Sequence, residues 1–307
     1  MFEPEMKALD QEIQKLYNKG IEALDEGNWL MAVQYFRKCV DADPKYSPAF
    51  HELADIYYNN GQYDAALAVL RDAIIADPED VDASFALGNI YAAQGRHAEA
   101  LRVFKRLEQE ESGFGPELNY QIGMAFKSLG KLEQALDYLN MAIEDDPSYY
   151  ECLEAIGKIH LDAGRLDEAK KAFEDALASD PGNINLHHMV GIVYSKKHMW
   201  KEAIDEWETV LKLAPEEDEA LRELGWALNM TGEYEKAVTA LKKAIEMNPN
   251  NLQARIDLGA VFMSNLRFEE AIVEWEKARK DDPANPLIKK FLSDAQALRK
   301  QKDGKGE

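Results

Sequence analysis

Apolar residues in this chain come in short clusters, and within each cluster they return every third or fourth position, as in Ala86-Leu87-Gly88-Asn89-Ile90-Tyr91 and Glu223-Leu224-Gly225-Trp226-Ala227-Leu228. That spacing lays one apolar stripe along a helix and does not match the strict alternation of a half-buried strand. The clusters themselves recur. Pro44 and Pro78 lie 34 residues apart, and Pro147, Pro181, Pro215, Pro249 and Pro283 follow one another at the same interval. The gap from Pro78 to Pro147 is 69 residues, two periods with one residue inserted. Placing each proline at position 32 defines eight units, at 13–46, 47–80, 81–115, 116–149, 150–183, 184–217, 218–251 and 252–285. A fixed period of this length overrules any domain count taken from chain length alone.

The alignment can be checked against itself, because a true repeat puts the same residue type wherever helices touch. Position 20 is alanine in all eight units, from Ala32 to Ala271, and position 8 is glycine in seven of them and Ala54 in the other. Small residues let two helix backbones approach, which explains a mid-helix glycine that costs about 1 kcal/mol against alanine. Position 24 is large and apolar throughout (Phe36, Leu70, Phe104, Leu139, Phe173, Trp207, Leu241, Trp275), and position 7 is mostly aliphatic. Position 15 is glycine in six units and is replaced by His198 and Leu266 in the sixth and eighth. Glycine there accepts the left-handed conformation that ends a helix, and the proline at 32 stops a second helix. Each unit therefore predicts helix, turn, helix, turn.

Taken together, the 34-residue period, Gly or Ala at 8, Ala at 20, a large apolar residue at 24 and Pro at 32 resemble the tetratricopeptide repeat (TPR) family. The resemblance implies an all-α, right-handed superhelical solenoid of eight helix-turn-helix units whose first helices line a concave groove. It extends over 13–285, leaving 1–12 as an N-terminal helical extension, 286–302 as a capping helix and 303–307 as a frayed tail. Pro286 opens the capping helix, and Leu287, Phe291, Leu292 and Leu298 are expected to dock it. The third unit departs from the pattern: Ser112 stands at the proline position, and Gly113, Phe114 and Gly115 mark a candidate hinge in which Phe114 either plugs the junction or is exposed.

Composition narrows the function. Thirty-six Lys and Arg against 57 Asp and Glu leave a formal charge of −21, which argues against a nucleic-acid binder because phosphate recognition needs a basic stripe. The chain has no apolar run approaching the roughly 20 residues that cross a bilayer, and its charged start does not read as a secretion signal, so a cytoplasmic location is expected. Cys39 and Cys152 stand alone, without a metal-binding spacing. No cofactor and no metal site are indicated.

In the resemblance, function lies on groove positions 2, 5, 6, 9, 12 and 13. Position 5 reads Tyr17, His51, Phe85 and Tyr120 in the first four units and Glu154, His188, Arg222 and Ile256 in the rest. With Asn18, Asp55, Tyr58, Asn89, Gln121, Met124 and Trp226 these form a candidate peptide-binding surface, rings supplying rigid contact and amides bonding an extended backbone. The rival reading is that a ring at position 5 packs against its neighbours. Eleven groove carboxylates face only Lys127, Lys158, Lys196 and Arg222, so a neutral or basic partner is favoured. The carboxylate clamp that some family members use for acidic chaperone tails is missing, since position 5 has no lysine and position 2 no base.

Catalytic readings are weaker. His187, His188 and His198 do not converge, His51 and Asp55 lack further ligands, and neither a phosphate-binding loop nor a nucleophile elbow occurs. The expectation is a non-enzymatic scaffold or adaptor that holds an extended protein segment in its groove and recruits it into a complex. The alternatives are a self-assembling structural scaffold, forming a homo-oligomer, and an accessory regulatory subunit of a separate enzyme.

Overall fold

The computed structural model describes residues 3–110 and 114–303, with side chains over 9–110 and 114–301. Among the described residues every regular element is a helix, and the chain is an all-α helical repeat solenoid. The pairs are α1 (Glu3–Asp25) with α2 (Trp29–Ala42), α3 (Ser47–Asn59) with α4 (Tyr63–Ala76), α5 (Val81–Ala93) with α6 (His97–Gln109), and α7 (Gly115–Ser128) with α8 (Leu132–Asp145). They continue as α9 (Tyr150–Asp162) and α10 (Leu166–Ser179), α11 (Ile184–Lys196) and α12 (Trp200–Leu213), α13 (Asp218–Met230) and α14 (Tyr234–Met247), and α15 (Leu252–Ser264) and α16 (Phe268–Asp281). The last helix is α17 (Pro286–Asp303). Residues 3–12 continue into the first repeat as the opening turns of α1. The helix expected to end at 302 runs to Asp303, and the rest of the tail, 304–307, lies outside the described residues.

Two compact units divide the chain at residues 1–152 and 153–307. In each, the core is the contact predicted from the repeat. Ala32, Phe36, Ala66, Leu70, Ala100, Phe104, Ala135 and Leu139 are wholly buried in the first unit. Ala169, Phe173, Ala203, Trp207, Ala237, Leu241 and Ala271 are wholly buried in the second, with Trp275 close behind at 2% exposure. Each fully buried leucine or phenylalanine of this set contributes about 1.5–3 kcal/mol. The position-8 glycines are where the position-24 rings lie: a Cβ on Gly88 would stand 2.3 Å from Phe104 Cε1. Removing the side chain from one helix is thus what admits the ring from the next.

The turn after each first helix carries positive φ at Gly27, Gly61, Gly95, Gly130, Gly164 and Gly232, and His198 and Leu266 adopt it too, both at φ 58°. The second helices end where a backbone N–H closes back on the last turn just before the proline, as Asp77 N–H does on the Ala73 carbonyl at 2.8 Å. Of the irregular third unit, Gly113 lies outside the described residues, Gly115 has φ 42°, and Phe114 stacks on Phe85 with ring centroids 4.3 Å apart.

The capping helix corrects the expected docking face. Ile288, Leu292 and Ala295 are the buried residues, and Phe291 stacks on Trp275 at 5.1 Å, whereas Leu287 and Leu298 are 57% and 41% exposed. Asn285 caps this helix by accepting from the N–H groups of Leu287 and Ile288, at 3.0 and 3.3 Å, and the inward stripe runs at i, i+3, i+4 and i+7 from Ile288.

Candidate binding groove

The groove of the first unit is built from the first helices α1, α3, α5 and α7, whose position-5 residues all meet position 34 of their own repeat, in the loop that leaves the second helix. Tyr17 lies 5.7 Å from Tyr46 and 5.4 Å from Phe36, and its hydroxyl donates to Glu52 Oε1 of the next repeat at 3.0 Å. Phe85 is buried between Phe104 and Phe114. Tyr120 lies 5.3 Å from Tyr149. His51 Nε2 stands 3.4 Å from Asp80 Oδ2. The position-5 side chains of this unit thus pack or pair within their own repeat, and the Tyr17 hydroxyl also reaches the next. Burial raises the Tyr17 phenol to about 12 and also raises that of Tyr149.

Other residues on the same first helices keep solvent contact. Tyr58 is 39% exposed and packs edge-on against Tyr63 at 5.4 Å, and Asn18 is exposed. Asn89, Gln121 and Met124 are half-buried. The Asn89 side-chain oxygen is buried with no hydrogen-bond partner among the described residues. Asp55 is an exposed residue, yet desolvation by the protein around its carboxyl raises it above the ordinary 3.8, while His51 pulls the other way.

In the second unit the groove is electrostatic. Arg222 is enclosed by carboxylates, Nη1 lying 3.1 Å from Asp257 Oδ2 and Nη2 2.5 Å from Glu219 Oε1, with Glu223 also paired. Asp257 is buried and accepts from Gln253 Nε2 at 2.7 Å. Desolvation raises its carboxyl despite Gln253 and Arg222. Trp226 is half-buried one turn beyond Arg222 on α13, and Lys158 pairs with Glu154.

Serine, histidine and aspartate do meet in one place, but in an order unsuited to catalysis. Ser47 Oγ donates to Asp80 Oδ2, His51 faces the same carboxylate, and Asp80 Oδ1 caps α5 by accepting from Ala83 N–H at 2.8 Å. The acid sits between hydroxyl and imidazole, so no base touches the serine as a nucleophile requires. His187 is held between Glu206, at 2.7 Å, and the Pro181 carbonyl, at 3.1 Å. No cluster of metal-ligating side chains occurs among the described residues, and no described helix is long and apolar enough to cross a membrane. Both cysteines are fully buried, and burial raises the Cys152 thiol to about 12 although it lies in the first turn of α9. A helix start favours a thiolate, so here desolvation and the neighbouring Glu151 and Asp146 outweigh it.

The first-helix positions of the sequence point to the groove but not to the position-34 partners Tyr46, Asp80 and Tyr149. Their signal was present: where position 5 is aromatic so is position 34, and where position 5 is His51 position 34 is Asp80.

A family model described as the cilia and flagella-associated protein 70 C-terminal domain matches residues 75–297, and one described as a tetratricopeptide repeat matches 23–83. The chain belongs to the tetratricopeptide-repeat family. No curated protein matches it. Among solved structures it is similar to the C-terminal part of a TPR repeat-containing protein from Cytophaga hutchinsonii, at TM-score 0.67 and 15% identity, covering 79% of this chain and 99% of that one. It is also similar to a chain of the APC/C hetero-tetramer Cut9-Hcn1, at 0.57 and 17%, covering 89% and 55%. A third, YrrB, described as a TPR protein with an unusual peptide-binding site, gives 0.53 and 24%, covering 60% and 95%. These likenesses concern the fold.

Proposed function

We propose that this chain is a non-enzymatic scaffold or adaptor that binds an extended segment of another protein in its concave groove and recruits it into a complex. The observation that carries the reading is Asn89, a groove amide whose buried oxygen has no partner among the described residues. A buried acceptor left unpaired costs about 1–3 kcal/mol, which the half-buried Asn89 side chain would recover by turning its amide toward the groove to meet a backbone N–H of an extended segment. Tyr58, Gln121 and Met124 flank it on neighbouring first helices and keep solvent contact. A neutral or basic segment suits the site: with Arg222 and Lys158 already paired inside the groove, an acidic segment would find its carboxylates opposed by the chain's own.

The test is affinity purification with wild type and with Tyr58→Ala, Asn89→Ala, Gln121→Ala and Met124→Ala combined. Tyr17, Phe85 and Tyr120 are left intact because their rings pack within their own repeats. A partner held by wild type and weakened at least about tenfold by the folded variant supports the groove, since central contacts each carry more than about 1 kcal/mol. Unchanged binding, or recovery of this chain alone with a mass that grows with concentration, turns the reading toward self-assembly.

A further inference from the structure

The second helices carry a surface whose charge runs against that of the chain. Between α4 and α6 a furrow is floored by Leu87 and the buried Ser84 of α5, and it holds a cavity of about 270 Å³. Ile74 and Ile75 of α4 form one wall and Val103 of α6 the other. Arg71 and Arg106 stand on its rim with no carboxylate in the lining. A second cavity of about 280 Å³ shares Leu87, Val103 and Arg106 and adds Arg102 and Glu99. A third, of about 580 Å³, shares Arg102 and Arg106 and adds Lys105 and Lys131. The residues that line the three carry five cations and one acid, with Glu108 and Glu110 beside them paired to Lys105 and Arg106, so the strip keeps a cationic excess in a protein of charge −21.

The furrow itself follows from the repeat, but its charge does not. The equivalent furrow of the second unit, a cavity of about 440 Å³ over Leu221 and Leu224, is rimmed by Glu208 and Glu235 as well as Lys236 and Lys243. In the first unit the cations are also held in place. Arg71 Nη2 donates to the Tyr91 hydroxyl at 2.7 Å, and Arg96 lies over the same ring at 4.4 Å. Lys105 pairs with Glu108 and also donates to the Tyr138 hydroxyl, and Arg106 pairs with Glu110, just past the end of α6, at 2.8 Å, all at partly exposed positions. Such pairs are worth about 0.3–0.5 kcal/mol each and exchange readily for a partner's carboxylates. Ile75, at 78% exposure, is the most exposed large apolar side chain described, and it stands on this rim.

We propose that this strip docks an acidic amphipathic helix of a partner protein, its apolar face on Leu87, Ile75 and Val103 and its carboxylates on Arg71, Arg102 and Arg106. Charge complementarity selects acidic over basic segments, and an apolar floor between charged rims is the recognition mode of a helix laid in a groove. The chain would then hold two partners of opposite charge on two faces.

The probe is a synthetic fluorescein-labelled peptide of Glu and Leu with its leucines on one helical face, followed by anisotropy at low salt. Saturable binding is expected, weakened about tenfold or more by Arg102→Gln with Arg106→Gln, and separately by Ile75→Asp, with circular dichroism unchanged. Tyr58→Ala with Asn89→Ala should leave it intact, which separates this surface from the concave groove. The proposal is overturned if no saturable binding occurs, if the variants bind as wild type does, if the peptide with scrambled leucines binds equally, or if a single-stranded oligonucleotide competes with equal strength.

Discussion

At the turn that closes each first helix, one backbone conformation is demanded eight times, and six repeats answer it with glycine. His198 and Leu266 hold φ 58° without it. A side chain in the left-handed region costs about 1–2 kcal/mol, and glycine offsets part of the gain by loosening the unfolded chain. Leu266 is 63% exposed, so little packing is lost with it. Leu266→Gly is therefore expected to raise the unfolding free energy by about 0.5–1 kcal/mol, and His198→Gly by less, because its ring lies 5.4 Å from Trp200. Urea titration of the two variants decides it: an unchanged or lowered midpoint for Leu266→Gly would mean that the turn carries no strain. Both positions are legible in the sequence as departures from the period. The opposite holds for the aromatic rings of position 5. Their regularity reads equally well as a binding ladder or as packing, and only their distances to Tyr46, Phe114 and Tyr149 assign them to packing.

Helix by helix, the period predicts where elements begin and end, since glycine and proline act locally on the backbone. The face on which an element docks is another matter, as α17 shows. Apolar identity alone selects Leu287 and Leu298, while in the structure Ile288, Leu292 and Ala295 turn inward from a helix that Asn285 caps. This helix has no counterpart among the eight units, so its phase has no internal check. Leu292→Ala should cost about 2–5 kcal/mol, the range for truncating a buried leucine. Leu298→Ala should stay within about 0.5 kcal/mol, as expected of an exposed position. Equal losses at the two sites, measured by denaturation of each variant, would put the docking face elsewhere.

Taken whole, the chain distributes its buried neutral acids unevenly between its two units, and alkaline pH should separate them. In residues 1–152 burial raises the Cys39 and Cys152 thiols and the Tyr17, Tyr46 and Tyr149 phenols, with Cys152 and Tyr17 each reaching about 12. In residues 153–307 the thiols and phenols with a resolved rise come down to Tyr194. A group whose folded pKa is raised holds its proton longer in the folded than in the unfolded chain. Its stabilisation is complete below the unfolded value, 9.0 for the thiols and 10.0 for the phenols, and is lost as pH climbs toward the folded value. Between about pH 9 and about pH 12 the first unit should therefore lose stability faster than the second. The probes are already in the chain: Trp200, Trp207, Trp226 and Trp275 report on the second unit, with only Trp29 in the first, while tyrosinate absorbance and thiol alkylation follow Tyr17, Tyr149 and Cys152. Since each repeat is stabilised by its own packing and by its nearest neighbours, loss in one unit can run ahead of loss in the other. Alkylation of Cys152 should thus rise while tryptophan emission is still native. If thiol reactivity, tyrosinate absorbance and tryptophan emission instead change together at one pH, the whole array unfolds as a single cooperative body and the uneven placement of these groups has no thermodynamic expression.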